Sequence, residues 1–127
     1  MKRISSSTPW EDTVGYSRAV VIGNLVEVSG TTATDSEGRV VARGDPYQQT
    51  RLAIENVLRA LKEAGAGAEH VVRTRLYVTD IEMWEEYGRA HREFFGDARP
   101  ATTMVQVSRL IHPDMLVEIE VTAIVEP

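Results

Sequence analysis

The chain has 127 residues and no cysteine. That excludes disulfides, thiolate metal sites and a cysteine nucleophile. No apolar run approaches the about 20 residues that a membrane-spanning helix needs. The segment Met1-Lys2-Arg3-Ile4-Ser5-Ser6-Ser7 lacks the apolar stretch of a secretory signal, so the expected location is cytoplasmic. His70, His91 and His112 are distant in sequence and show no metal-ligand spacing, so no metal is expected. Gly-rich phosphate loops are missing too, because Gly65 and Gly67 follow a helical pattern and do not open one. No serine sits in a nucleophile-elbow pattern, and no repeat, linker or low-complexity segment occurs. The net charge is −5, and the lysines and arginines form no run. The electrostatic footprint of a nucleic-acid binder is therefore absent.

What is present fits one soluble domain over residues 1–127, with 1–14 as a polar lead-in: 43% of residues are hydrophobic and 26% charged. Two apolar runs between Val20 and Ser29 flank Gly23-Asn24, a hairpin signal because both turn positions tolerate positive φ. Thr31 to Gly44 reads as a long loop with a short strand at Arg39-Val40-Val41. Asp45 can cap a helix that starts at Pro46, with Gln48 in the capping-box position. Leu52, Ile54, Val57, Leu58 and Leu61 supply its apolar face, and Gly65 and Gly67 end it.

His70 to Thr79 alternates as a strand. A second helix is expected from Ile81 to Phe95, capped by Asp80 and stopped by Gly96, with Trp84, Tyr87, His91, Phe94 and Phe95 on one stripe. The last strands are expected at Ala101–Arg109 and Met115–Val125. Side chains alternate across a strand. Val72, Thr74, Leu76 and Val78 should therefore share a face with Val117, Ile119, Val121 and Ala123. Arg73, Arg75, Glu118 and Glu120 should share the opposite face. Two helices can cover only the apolar face. The polar one is either solvated or packed against other subunits.

The stretch Arg99-Pro100-Ala101, followed by Val117-Glu118-Ile119-Glu120, closely resembles the YjgF/Rid family, also known as the L-PSP ribonuclease family. Gly15-Tyr16, Gly23-Asn24, Val28-Ser29-Gly30, Gln49…Leu52…Glu55-Asn56-Val57, Ala64-Gly65, Val71-Val72-Arg73-Thr74 and Phe94-Phe95 match in order and spacing, from Val14 to Val125. The resemblance implies a chorismate-mutase-like α+β domain, a mixed β-sheet with two helices on one face. It also implies a homotrimer with ligand sites in the clefts between subunits.

Deaminase members of the family hydrolyse enamines and imines without cofactor or metal. By resemblance, Glu118 matches their proposed acid/base group. Tyr16 matches a cleft wall, and Ser29-Gly30 the serine-glycine that ends the second strand. Thr102 stands where those members carry a carboxylate-clamping arginine, and Gly88 where they carry an asparagine. Thr102 and Met104 are expected to line the cleft. A threonine cannot replace a bidentate guanidinium clamp, so Arg75 and Arg89 are the candidate substitute cations, while His91, on the apolar stripe, is either a functional group or a satisfied, partly buried side chain. The implied function is binding of a small organic molecule in intersubunit clefts, with deamination or hydrolysis of an atypical enamine- or imine-like substrate. The alternatives are a non-catalytic metabolite-binding trimer and an L-PSP-type ribonuclease or translation inhibitor.

Overall fold

The computed structural model describes residues 1–6 and 8–126. Ser7 in the expected lead-in, and Pro127 at the end of the expected domain, lie outside the described residues. In chain order the elements are β1 (Lys2–Ile4), α1 (Trp10–Val14), β2 (Ala19–Ile22), β3 (Leu25–Thr31), α2 (Pro46–Glu63), β4 (Val71–Val78), α3 (Trp84–Phe95), β5 (Ala101–Gln106) and β6 (Val117–Ile124). They form a six-stranded mixed sheet in the order β1-β2-β3-β6-β4-β5. Only β4 and β5 run parallel; the other neighbouring pairs are antiparallel. The helix α3 provides the crossover that a parallel pair requires.

Local chemistry explains most of these elements. Gly23, at φ +59°, turns the β2–β3 hairpin, with Ile22 opposite Leu25. Asn24 keeps a negative φ, so one position, not both, uses the left-handed region, as in a II′-type turn. Asp45 caps α2 by accepting from the Gln48 amide at 3.0 Å, with Pro46 at the first helical position. Gly65, at φ +83°, follows the last turn, and Ala66 N–H closes back on Leu61 O at 2.8 Å.

Asp80 does cap, but what it caps is a 3₁₀ turn at Ile81–Met83 that precedes α3. Gly96 follows α3 in a right-handed conformation, φ −61°. The left-handed residue there is Arg99, φ +50°, just before Pro100.

Several expectations are corrected. The expected polar lead-in contributes to the sheet and the core: Lys2–Ile4 pairs with Ala19–Val21 as an edge strand, and Ile4 is buried. The expected strand at Arg39-Val40-Val41 is a single bridge between Thr34 and Val40. In β4 a bulge separates Val71, opposite Ala123, from Arg73, opposite Thr122. The extra residue reverses the first part of the alternation. Val71 is therefore buried, and Val72 is 44% exposed. Trp84 is 57% exposed, whereas Tyr87 and Phe95 carry the buried stripe of α3. The ladder of β5 ends at Gln106, and β6 starts at Val117.

The core lies between the sheet and α2 and α3. Val26, Val28, Leu76, Val117, Ile119 and Val121 meet Ile54, Val57, Leu61, Tyr87 and Phe95 there. The opposite sheet face carries Arg73, Arg75, Tyr77, Glu118 and Glu120, as the alternation requires. Arg75 faces Glu120, and Tyr77 faces Glu118 across the β4–β6 ladder.

Candidate functional site

Glu118 opens β6 on the polar face, beside the end of β3. Gly30 is what lets it sit there. A β-carbon at Gly30 would lie 2.6 Å from Glu118 Oε2 and 2.8 Å from its carboxyl carbon. The carboxyl is folded onto bare backbone, and burial pushes its pKa above the ordinary carboxylate value. The positive charge of Arg18 opposes that rise, and the negative charge of Glu120 adds to it. Glu120 accepts from Tyr77 Oη at 2.5 Å, which fixes it one residue pair further along the strand. Glu118 is therefore a carboxyl whose surroundings favour its protonated form more than solvent does.

Arg18 is the residue that the sequence did not single out. It lies between α1 and β2 and is only 9% exposed. Its Nη2 donates to Gly30 O at 3.0 Å and its Nη1 to Thr31 Oγ1 at 3.3 Å. The guanidinium carbon stands 5.5 Å from the centre of the Tyr16 ring, within cation–π range. Ser29 pairs with this segment through its amide, which donates to Arg18 O at 2.9 Å. Its hydroxyl donates to Ser17 O at 2.6 Å. That commits the Ser29 hydrogen to the backbone and leaves its lone pairs for a ligand. Tyr16, Arg18, Ser29, Gly30 and Glu118 thus form one continuous patch. No sequence signal marks Arg18, because its burial depends on the end of β3 pairing with the Ser17-Arg18 segment.

Thr102, Met104 and Gly88 lie elsewhere in the protomer. Thr102 is opposite Thr74 in the parallel ladder, and Thr74 is opposite Val121, a core residue. Thr102 is therefore on the helix side of the sheet and Glu118 on the other. Thr102 Oγ1 lies 2.7 Å from Thr74 Oγ1, which lies 2.9 Å from His91 Nε2. Thr102 Oγ1 also donates to Pro100 O at 3.1 Å. Burial pushes the His91 pKa down, keeping the ring neutral inside this chain of hydroxyls. Met104 leans on the core from the edge strand. Gly88 lies one turn before His91, and a β-carbon there would meet nothing within 4 Å, so packing does not exclude a side chain.

The substitute cations differ. Arg89 is held on the helix surface by Glu86 at 2.8 Å and stacks over Tyr47 at 3.7 Å. Arg75 stays on the polar face with Ser29 and Glu120, around a depression of about 210 Å³. A second cavity, of about 650 Å³, lies under the N-terminal segment and includes Arg18, Thr31, Leu52 and Asn56 in its walls. Among the described residues, no group of three or more His, Asp or Glu is placed to hold a metal ion. Among the described residues, no helix is long and apolar enough to cross a membrane.

The comparisons with known proteins agree with this architecture. The family model described as Endoribonuclease L-PSP matches residues 7–125. An uncharacterized protein of Streptomyces coelicolor is 40% identical over 123 residues, 97% of this chain and 91% of that protein. A crystal structure from Mycobacterium tuberculosis, described as a member of the YjgF/YER057c/UK114 family, superposes with a TM-score of 0.89 at 48% identity, covering 98% of both chains. Escherichia coli TdcF with bound serine superposes at 0.82 with 25% identity, covering 99% of this chain and 96% of that one. With its six-stranded mixed sheet, its Gly30–Glu118 contact and these matches, the chain belongs to the Endoribonuclease L-PSP (YjgF/UK114) family.

Proposed function

We propose that the chain binds a small organic molecule against the Tyr16–Ser29–Gly30–Glu118 patch and hydrolyses an imine or enamine there, releasing a carbonyl compound and ammonia. The observation that carries this reading is the Glu118 carboxyl packed on Gly30, where burial raises its pKa above the ordinary carboxylate value. The chemistry is balanced: an enamine first becomes its imine by taking a proton on its β-carbon and losing one from nitrogen. Water then adds to the C=N carbon while the Glu118 carboxylate takes a proton from that water and passes it to nitrogen. In the resulting carbinolamine the hydroxyl proton moves through Glu118 to nitrogen, the C=O bond forms and the C–N bond breaks, releasing ammonia. One carboxyl can serve both transfers because burial makes its carboxylate a stronger proton acceptor than a solvated one. The serine bound to TdcF, a relative of the same fold, supports a ligand of amino-acid size.

In this reading the protein is a homotrimer, and Thr102, Met104 and Gly88 reach the Glu118 patch of a neighbouring subunit. That arrangement would join two groups that lie on opposite faces of the sheet within one protomer. The test is ammonia release from freshly generated iminopyruvate. Wild-type protein is expected to exceed Glu118→Gln by about a hundredfold to ten-thousandfold, the range of general acid–base catalysis. Equal rates would reject the Glu118-dependent reaction for this substrate.

A specific observation favours a second reading, a metabolite-binding trimer without turnover. Thr102 carries no charge and spends its hydroxyl on Pro100 O and Thr74. Ligand uptake with no ammonia release in either protein would select it. The ribonuclease reading would be supported instead by salt-sensitive RNA binding followed by cleavage.

A further inference from the structure

The guanidinium of Arg18 is buried without a counter-ion. Among the described residues no carboxylate forms an ion pair with it. Two of its donors have acceptors, and its buried Nε has none. Buried charges are ordinarily paired, because taking a charge out of water is costly. Arg18 also forms part of the wall of the cavity of about 650 Å³. That cavity opens between α2 and the N-terminal segment, and Arg18 is the residue that it shares with the Glu118 patch. Ile4, Val41, Leu52 and Ala60 give it an apolar surface, and Thr31 stands beside Arg18. Its acids are already engaged in part: Asp35 pairs with Arg39 at 3.2 Å and Glu55 with Arg51 at 3.5 Å. An apolar space with a few convergent polar groups is the usual form of a small-molecule site.

We propose that this cavity binds a small metabolite with a carboxylate and an apolar body, its carboxylate received by Arg18. A carboxylate on the guanidinium would supply the charge that no ion pair supplies. The apolar body would lie along Leu52 and Ala60. Anion binding here also reaches Glu118. The charge of Arg18 holds the Glu118 carboxyl down against burial. Neutralising it leaves Glu118 protonated to higher pH.

The experiment is calorimetric titration of the full chain with isovalerate, its neutral amide isovaleramide, and L-valine. At least one of the two acids is expected to bind, with isovaleramide about tenfold or more weaker. Arg18→Gln should lose about tenfold or more, the cost of a charge-assisted hydrogen bond, and Glu118→Gln should retain binding. Tighter L-valine binding assigns the site to amino acids, and tighter isovalerate binding to acids without the amine; both uphold the carboxylate at Arg18. Equal binding of the amide, unchanged binding in Arg18→Gln, loss of binding in Glu118→Gln, or binding of neither acid would overturn the proposal. Should Arg18→Gln fail to fold, Leu52→Trp fills the cavity with Arg18 intact. Loss of binding then supports the site, and unchanged binding rejects it.

Discussion

Glu118 and Thr102 sit on neighbouring parts of one sheet, yet their surroundings are opposite. Glu118 is an ionisable group on the polar face, folded onto a glycine, with a buried arginine acting on it through space. Thr102 is a neutral hydroxyl on the helix face, tied to Thr74 and through it to a neutral histidine. The first arrangement leaves a proton poorly settled. The second leaves every hydrogen with an acceptor: His91 can donate to Thr74, Thr74 to Thr102, and Thr102 to Pro100 O. The difference places the ionisable group with disfavoured charge at the Glu118 end and leaves the β5 edge fully hydrogen-bonded around Thr102.

The strongest way to break the comparison is at Thr74, which is fully buried. Thr74→Val keeps the shape and removes the hydroxyl that joins His91 to Thr102. The cost should be about 1–3 kcal/mol, as for a buried polar group left without its partner, read as a lower denaturation midpoint. The Glu118 titration should not move. A variant as stable as wild type would show that the hydroxyl chain contributes nothing.

A smaller, pH-dependent effect is expected at Glu118. Its pKa in the folded chain is raised above 4.5, so the folded state holds the proton more tightly than the unfolded state. Stability from this group is complete below 4.5 and is lost as pH rises through the folded value. Glu118→Gln, which cannot ionise, should therefore match wild type in acid and melt higher near neutral pH. A gain of the same size at both pH values would contradict the sign. His91 runs the other way. Its folded pKa is lowered from 6.5, so its contribution is present above that value and fades as pH falls below it. His91→Gln should flatten thermal stability across that window.

The smallest stability change is expected at Gly30. An added methyl meets the far end of a flexible side chain, which can swing away. Gly30→Ala should melt within about 0.5 kcal/mol of wild type, the range of substitutions that disturb no packed or buried feature. It should still displace the carboxyl and depress Glu118-dependent turnover. Lost turnover with unchanged melting separates a positioning role from a scaffold role.

Much of this was legible in the chain itself. Asp45-Pro46 announces the start of α2 through cap chemistry, and the alternation in β6 assigns Glu118 and Glu120 to one face. The misses have physical reasons. The bulge at Val72 adds one residue to an otherwise regular pattern, and only the ladder with β6 reveals it. The strand at Lys2–Ile4 has one inward apolar residue and depends on pairing with a segment fifteen and more residues away. Trp84 fits the periodicity of α3, but the preceding 3₁₀ turn shifts where the helix begins. Arg18 reads as an ordinary surface arginine, and its burial arises only when β3 brings Gly30 and Thr31 against it.

The central claim is that burial against Gly30 raises the Glu118 pKa above the ordinary glutamate value. A carbon-detected NMR titration of the Glu118 carboxyl, assigned by its absence in Glu118→Gln, tests that directly. The expected midpoint lies above 4.5 and rises further in Arg18→Gln, which removes the opposing charge. A midpoint at or below 4.5 in wild type would contradict the account.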